Sequence, residues 1–484
     1  MELFSDQPGD DGLPGRQRCL AMIAVMTCTA MAVFDGSMVN VALPQIAREL
    51  NVSTGDAVWV ANGYLLAAAM TLAIFAALAK RMGFRTLFTL GLCVFTLASL
   101  GCAMSTSLDM LVVMRILQGV GGAATLSISP AIHRSVFPTR LLGRILGLNA
   151  LLIAVSTAIA PILGGTLLST LSWQWLFAIN IPFGAVALAL SWRTIPTQRV
   201  QESQSAPFDF AGGVLSAVLL GSLIMAANAF SHTDHGGLSR ETLTTAAAYG
   251  LTAVIAGMAF VWRQRRAAEP LLPLQIFASS RFSLAALTSM TSFVSQGMTF
   301  VALPFLFQSV YGYSAFVSAL LFTPWPIGIM LAAPRAGRLA DKFSPAVIST
   351  AGLCLFAVGL FLLAQLPEHA QPWDIGLRSL VCGLGFGCFQ SPNNREMLAN
   401  ASRENSGYAS GVLAIMRTFG QCLGAAFVGV VLSAYAQPSL DAAGRVMEEA
   451  QAVRLCLWIS VVATLLAIII SVSRLRRIRG EAHV

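Results

Sequence analysis

Charge is scarce in this sequence. Only 11% of its 484 residues are Asp, Glu, Lys or Arg, against roughly 25% in a soluble domain. Hydrophobic residues make up 56%, and the mean hydropathy is +0.73. A chain so apolar and so long reads as a polytopic membrane protein. Other absences narrow the function. No GxxxxGK[ST] is present, so ATP does not drive the protein directly. No HExxH or other metal spacing occurs, and no Ser/His/Asp set has a loop to hold it. The nine cysteines form no CxxC and no Cys/His set; most lie in apolar runs and read as packed thiols. The polar start, "MELFSDQPGDDGLPGRQR", precedes an apolar run too long for a signal-peptide core, so no cleavable signal is expected. Neither long loop, Arg193–Asp209 or Ala436–Arg454, has room for a catalytic domain. The expectation is no catalytic residue, no metal and no organic cofactor, with function placed among the helices.

What is present is apolar length. At about 20 residues per crossing, the chain holds about fourteen spans, from roughly 19–43 to 454–473, all helical because the runs are too long and continuous for barrel strands. Alternating the gaps between sides puts about 23 of the 30 Lys/Arg on one side. That bias makes this side, with both termini, cytoplasmic, so the net charge of +8 is topological and implies no nucleic acid. The stretch "PSLDAAGRVMEEAQAVR" reads as a short surface helix before the last span. The turns "AALAKRMGFR" (Ala76–Arg85) and "AGRLADKFSP" (Ala336–Pro345) resemble each other. If they mark repeated six-helix halves, residues 1–193 form an N-terminal bundle and 271–484 a C-terminal one. Residues 194–270 then carry two inserted helices, an arrangement in which repeats flank a site at mid-membrane.

Ionisable residues inside the spans are few. Asp35 is the only acid well within the hydrocarbon, and Arg115 and Arg417 are the deep cations. A charge at the bilayer centre costs about 2.5–3.5 kcal/mol on insertion scales, so such residues are functional by default. Two readings of Asp35 stand: a structural ion pair with Arg115, or a site shared by a proton and a cation. Desolvation favours the neutral acid, which can take a proton from one side and release it to the other; a cationic substrate favours the ionised form. Competition for one group is sufficient for exchange. Thr27, Met31, Asp35 and Met38 share a helix face, which suits an amphiphilic cation or is simple packing. Further cavity candidates are the aromatics Phe34, Trp59, Tyr64, Phe305, Trp325 and Phe389, with the polar Gln390 and Asn393. Gly147, Ser156, Ala160 and Gly164 set small residues along one span, with Pro161 able to kink it.

Several stretches together resemble the major facilitator superfamily, in its fourteen-span branch of drug:proton antiporters, over nearly the whole chain. "FDGSMVNVALPQI" is similar to that branch's first-helix motif, through Asp35, Ser37, Asn40 and Pro44. "WVANGYLL" matches a second-helix W-x-x-x-x-Y at Trp59 and Tyr64, and "RILQGVGGAA" the fourth-helix R-x-x-Q-G-x-G-x-A at Arg115, Gln118, Gly119 and Gly121. "GLNALLIAVSTAIAPILGG" resembles the antiporter motif: Pro161, Gly164 and Gly165 fit, while Ser156 and Ala160 replace glycines. The resemblance implies that Arg115 assists proton transfer. In the loop pattern G-x-x-x-D-R-x-G-R-R, however, Lys80 stands where the acid belongs, next to Arg81, while Asp341 and Lys342 keep an acid and a base in the second copy. Either the conformational latch has moved to the C-terminal half, or this loop works differently. The resemblance implies an all-α major facilitator fold in a bacterial inner membrane, acting as a monomer. Its activity would be alternating-access export of hydrophobic cations in exchange for protons. The alternatives are an exporter of one endogenous metabolite or siderophore, and a non-transporting membrane receptor.

Overall fold

The computed structural model describes residue 10 and residues 12–138, 141–196, 208–232, 240–340, 342–367, 370–400, 406–435 and 442–481. Among these there is no strand. The long helices are α1 (Gly15–Glu49), α2 (Trp59–Met82), α3 (Phe84–Ala103), α4 (Leu108–Val136) and α5 (Leu142–Thr170). Then follow α6 (Trp175–Thr194), α7 (Phe210–Asn228), α8 (Arg240–Arg266), α9 (Ser280–Phe305) and α10 (Ala315–Leu339). The last four are α11 (Pro345–Ala364), α12 (Pro372–Ala399), α13 (Ser406–Tyr435) and α14 (Ala442–Glu481). Thirteen are long and apolar enough to cross a membrane. The other, α12, has 28 residues but carries Asp374, Arg378, Arg395 and Glu396. The protein is an all-α, multi-pass membrane protein.

Local chemistry sets the ends and breaks. Ser107 and Ser314 cap α4 and α10 by accepting from the Met110 and Val317 N–H groups, both at 3.3 Å. A one-residue step at Thr323 divides α10, because Pro324 and Pro326 cannot donate to the preceding turn. Pro182, lacking the N–H that the Ala178 carbonyl would accept, accompanies a like step at Ile179 in α6. Pro161, by contrast, sits inside α5 without interrupting it. The expected short surface helix is absent as a separate element. From Ala442 onward nothing breaks the helical pattern, so the segment runs straight into the last span as one helix of 40 residues.

In the first six helices, α4 packs between α2 and α3, and α1 lies against α5 and α6. In the last six, α12 packs between α10 and α11, and α9 lies against α13 and α14. The sequence carries a trace of this parallel: Val41–Pro44 and Val301–Pro304 both read V-A-L-P. Asp35 stands nine residues before the first proline, and Ser295 nine before the second. Two seams join the halves, α2 with α13 and α5 with α10. Call the end where α1 begins the near face. At the far face, Gly55 lies against Gly429 and Ser433, and Gln308 Nε2 donates to the Val41 carbonyl at 2.7 Å. Helices α7 and α8 pair with each other, and α7 also touches α2 and α13.

Asp209 fastens that inserted pair at the near face. Its carboxylate accepts from the Gly212 N–H (3.0 Å), Arg263 Nε (2.8 Å) and Gln264 Nε2 (2.7 Å). Burial pushes its pKa up, but the Arg263, Gly212 and Gln264 hydrogen bonds outweigh this and hold it below the ordinary carboxylate value. The stability Asp209 lends is therefore present above the ordinary carboxylate range and fades as pH falls through the lowered value. Asp209→Ala should cost about 1–2 kcal/mol, as for a lost helix cap, and should expose the α7–α8 corner first. Hydrogen exchange confined to that corner checks it; uniform exchange in variant and parent would refute it.

Candidate functional site

Asp35 lies in the middle of α1, 1% exposed. Its Oδ2 accepts from Arg115 Nη1 in a direct ion pair. Its Oδ1 accepts from Gln118 Nε2 at 2.8 Å and Asn180 Nδ2 at 3.2 Å. Arg115 is equally buried. Its Nη1 also donates to Gln118 Oε1 (2.7 Å) and its Nε to the Val60 carbonyl (2.8 Å). The guanidinium sits 4.5 Å from the Tyr64 ring centre and 5.6 Å from that of Phe177. Gln118 Nε2 donates further to Ser99 Oγ at 2.9 Å. One carboxylate thus gathers groups from α1, α2, α3, α4 and α6.

The local sequence makes this approach possible. Gly119 lies against the Tyr64 carbonyl, where an added Cβ would come within 2.4 Å of the oxygen. Only glycine lets α4 close on α2 there, and that approach brings Arg115 under the Tyr64 ring. A buried pair is stable only with good geometry and further hydrogen bonds, both of which are met here. Arg115→Ala leaves a buried carboxylate without its counter-charge and should cost about 3–5 kcal/mol. Arg115→Lys should cost less but not nothing, because one ammonium cannot replace a guanidinium that bonds Asp35, Gln118 and Val60 together. Thermal unfolding of the purified variants orders them; equal stabilities would show that the fork is dispensable.

The structure brings Asp35, Arg115 and Tyr64 together and distributes the other candidates. Met31 is buried beside Tyr64 and Cys28, and Met38 packs against Gly164 of α5. Phe34 is half-buried on α1, and Trp59 packs with Leu66 and Phe419 in the α2–α13 seam. Trp325 and Phe305 are fully buried in the C-terminal half, Trp325 edge-on to Phe300 and Phe356. Phe389 is buried against Phe386, and Gln390 is half-buried on α12. Asn393 belongs to a second polar centre: its Oδ1 accepts from Arg474 Nη1 at 2.9 Å, while Arg474 Nη2 donates to Ser349 Oγ (2.7 Å) and Ser471 Oγ (3.0 Å). Ser37 and Asn40 face a cleft of ≈ 10 Å³ between α1, α9 and α10, which barely holds a water.

Ser156, Ala160 and Pro161 are buried along α5. Gly164 faces α1, and Gly165 faces α10 across the halves, where an added Cβ would meet the Ala315 carbonyl at 2.8 Å. The surroundings of Gly147, the side chain of Lys80 and all of Asp341 lie outside the described residues. Arg81 pairs with Glu269 at 3.3 Å and lies over the Phe208 ring, so it ties α2 to the inserted segment; Lys342 is exposed.

Reasoning from sequence missed Asn180, Ser99 and Arg474. Asn180 was findable as the one amide in "WLFAINIPF". Arg474 opens the basic tail "RLRRIRG", which the charge bias counts only toward the cytoplasmic side, yet it is fully buried. Two further acids lie toward helix ends: Asp374 pairs with Arg378 at 2.9 Å, and Glu396 is buried near Arg474. At the positions matching the first site, the C-terminal half is uncharged. Ser379 and Cys382 precede Gly383 and Gly385 as Arg115 and Gln118 precede Gly119 and Gly121. Ser295 Oγ donates to the Ser460 carbonyl and accepts from Thr464, both at 3.0 Å.

Known proteins show the same architecture. A bacterial homologue of the human lysosomal transporter Spinster, solved in an inward-facing and unoccupied conformation, superposes with a TM-score of 0.70 at 16% identity, covering 98% of each chain. The uncharacterized transporter YebQ of Escherichia coli is 41% identical over 88% of this chain and 91% of its own. The multidrug resistance protein Stp of Mycobacterium tuberculosis is 30% identical over 88% of this chain and 78% of its own. Residues 25–425 match the Major Facilitator Superfamily. With that match laid over the helices that build the Asp35 cluster, the chain is a transporter rather than an enzyme, and it belongs to the Major Facilitator Superfamily.

Proposed function

We propose that this transporter exports hydrophobic cations in exchange for protons, with Asp35 as the group for which proton and substrate compete. The observation that carries the reading is the buried Asp35–Arg115 pair with its two amide donors. The drug-resistance naming of Stp supports the substrate class. A proton on Asp35 removes the charge that Arg115 faces. The guanidinium keeps the Val60 carbonyl, Gln118 Oε1 and the Tyr64 face, so it has partners without the carboxylate. Helix α1 then loses its ionic tie to α4 and keeps only the Gln118 hydrogen bond. Since α1 packs on α5, and α5 on α10, the release reaches a seam between the halves. A two-state element of this kind is biased only by differential interaction. The protein works as a monomer in the bacterial inner membrane, both termini cytoplasmic, with the proton as its only coupling ion.

The test uses purified protein in vesicles with an imposed pH gradient. Adding a monovalent quaternary ammonium compound on the cytoplasmic side should dissipate the gradient, one proton per cation and without current. An unchanged gradient would sink the proposal. A potential-dependent current would mean more than one proton per cycle, and Asp35 would not act alone. Dissipation by a single endogenous metabolite, and by no member of a panel of dyes, biguanides and quaternary ammonium compounds, would turn the reading toward a dedicated exporter.

A further inference from the structure

The inserted pair α7–α8 carries a groove of ≈ 740 Å³ on its outer surface, away from the Asp35 cluster. Its walls are apolar: Leu219 and Leu223 on one side, Val254 and Met258 on the other, with Gly257 keeping the floor low. One end carries Arg265 and Arg266, both exposed, and the Arg266 guanidinium lies 4.4 Å from the Trp262 ring centre. From Ala253 to Arg265 the helix advances about 18 Å at 1.5 Å per residue. That is close to one leaflet of a hydrocarbon core about 30 Å thick. An apolar trough one leaflet long, ending in two cations and an interfacial tryptophan, has the chemistry of one molecule. We infer that this groove holds an anionic phospholipid, an acyl chain along Gly257 and the phosphate between Arg265 and Arg266.

The neighbouring basic residue is already engaged. Arg263 bonds Asp209 at 2.8 Å, and Gln264 bonds Asp209 and the Leu272 N–H. Among the described residues, the side chains turned to the groove are thus the ones that protein acids leave available. Two arginines at its mouth repel a hydrophobic cation, so the transported substrate is the wrong occupant. A headgroup phosphate suits them, because basic pockets between helices at the membrane surface bind anionic lipids. The volume falls in the range of small-molecule sites.

The experiment is native mass spectrometry of the full chain, titrated with phosphatidylglycerol and with phosphatidylcholine of the same acyl chains. The parent should retain phosphatidylglycerol in preference. Arg265→Gln with Arg266→Gln should weaken that retention roughly 30-fold, from two lost charges near the surface, and weaken that of phosphatidylcholine, whose phosphate carries no net headgroup charge, far less. Gly257→Phe fills the groove and should remove the preference altogether. Equal retention of the two lipids by the parent would overturn the inference. So would retention unchanged in both variants, or a dimer that Gly257→Phe dissolves, which would give the groove to a second copy of the chain.

Discussion

Asp35→Asn should bring pH-driven efflux down to the level of vesicles without the protein, while the chain still inserts and folds. The carboxylate has no titratable substitute within its cluster: its partners are a guanidinium and two amides. Removing one member of a buried pair usually costs about 3–5 kcal/mol. Here the cost should fall at the low end, because Arg115 keeps the Val60 carbonyl, Gln118 and the Tyr64 ring. Combining Asp35→Asn with Arg115→Gln should recover most of the lost stability and none of the transport. That pair of results separates folding from coupling, as a double-mutant cycle is meant to do. Asp35→Glu keeps the chemistry and alters only the reach, so part of the activity should remain. Parental efflux in Asp35→Asn at normal expression would show that the coupling group lies elsewhere.

Gly165→Leu should trap the transporter with its far face open. A Cβ at Gly165 would lie 2.8 Å from the Ala315 carbonyl and 2.9 Å from the Phe316 Cα. Those are backbone atoms and cannot swing aside. Relief requires α5 and α10 to part, which is the movement that opens this seam. Overpacking of this kind costs about 1–3 kcal/mol, enough to move a two-state balance by roughly 5–150-fold. A single cysteine introduced at Ser309 should label faster with an impermeant thiol reagent in the variant, and transport should fall with it. Unchanged labelling together with unchanged transport would remove this seam from the cycle.

The membrane spans and the first site were legible because both rest on one-dimensional facts. Twenty apolar residues in a row have few other uses, and a charge such as Asp35 within them is expensive enough to stand out. Arg115 was legible for the same reason. Ser99 was not, since a neutral polar residue in a span costs little and has no period, and Asn180 could be picked out only as the lone amide of its stretch. The seams were illegible in principle. That Gly165 meets Ala315, or Gly55 meets Ser433, is decided by how two halves dock, not by any local pattern. The fused helix Ala442–Glu481 was misread because loop length was inferred from hydropathy, and a helix can continue past the hydrocarbon into water without a break.

The neutral Ser295 centre has a consequence at the level of the cell. Under the proposed exchange, a single titrating half sets a thermodynamic ceiling. One proton in for one monovalent cation out balances when the two concentration ratios are equal, so each unit of pH difference sustains about a tenfold substrate gradient. A second acid at Ser295 would have let the membrane voltage contribute, at about 2.3 kcal/mol per charge per 100 mV. With serine there, bound to the Ser460 carbonyl and Thr464, voltage adds nothing. Once the medium reaches cytoplasmic pH, the exchange can hold the cation no lower inside than outside, however strongly the membrane is polarised, and acid habitats are where such a pump is worth carrying.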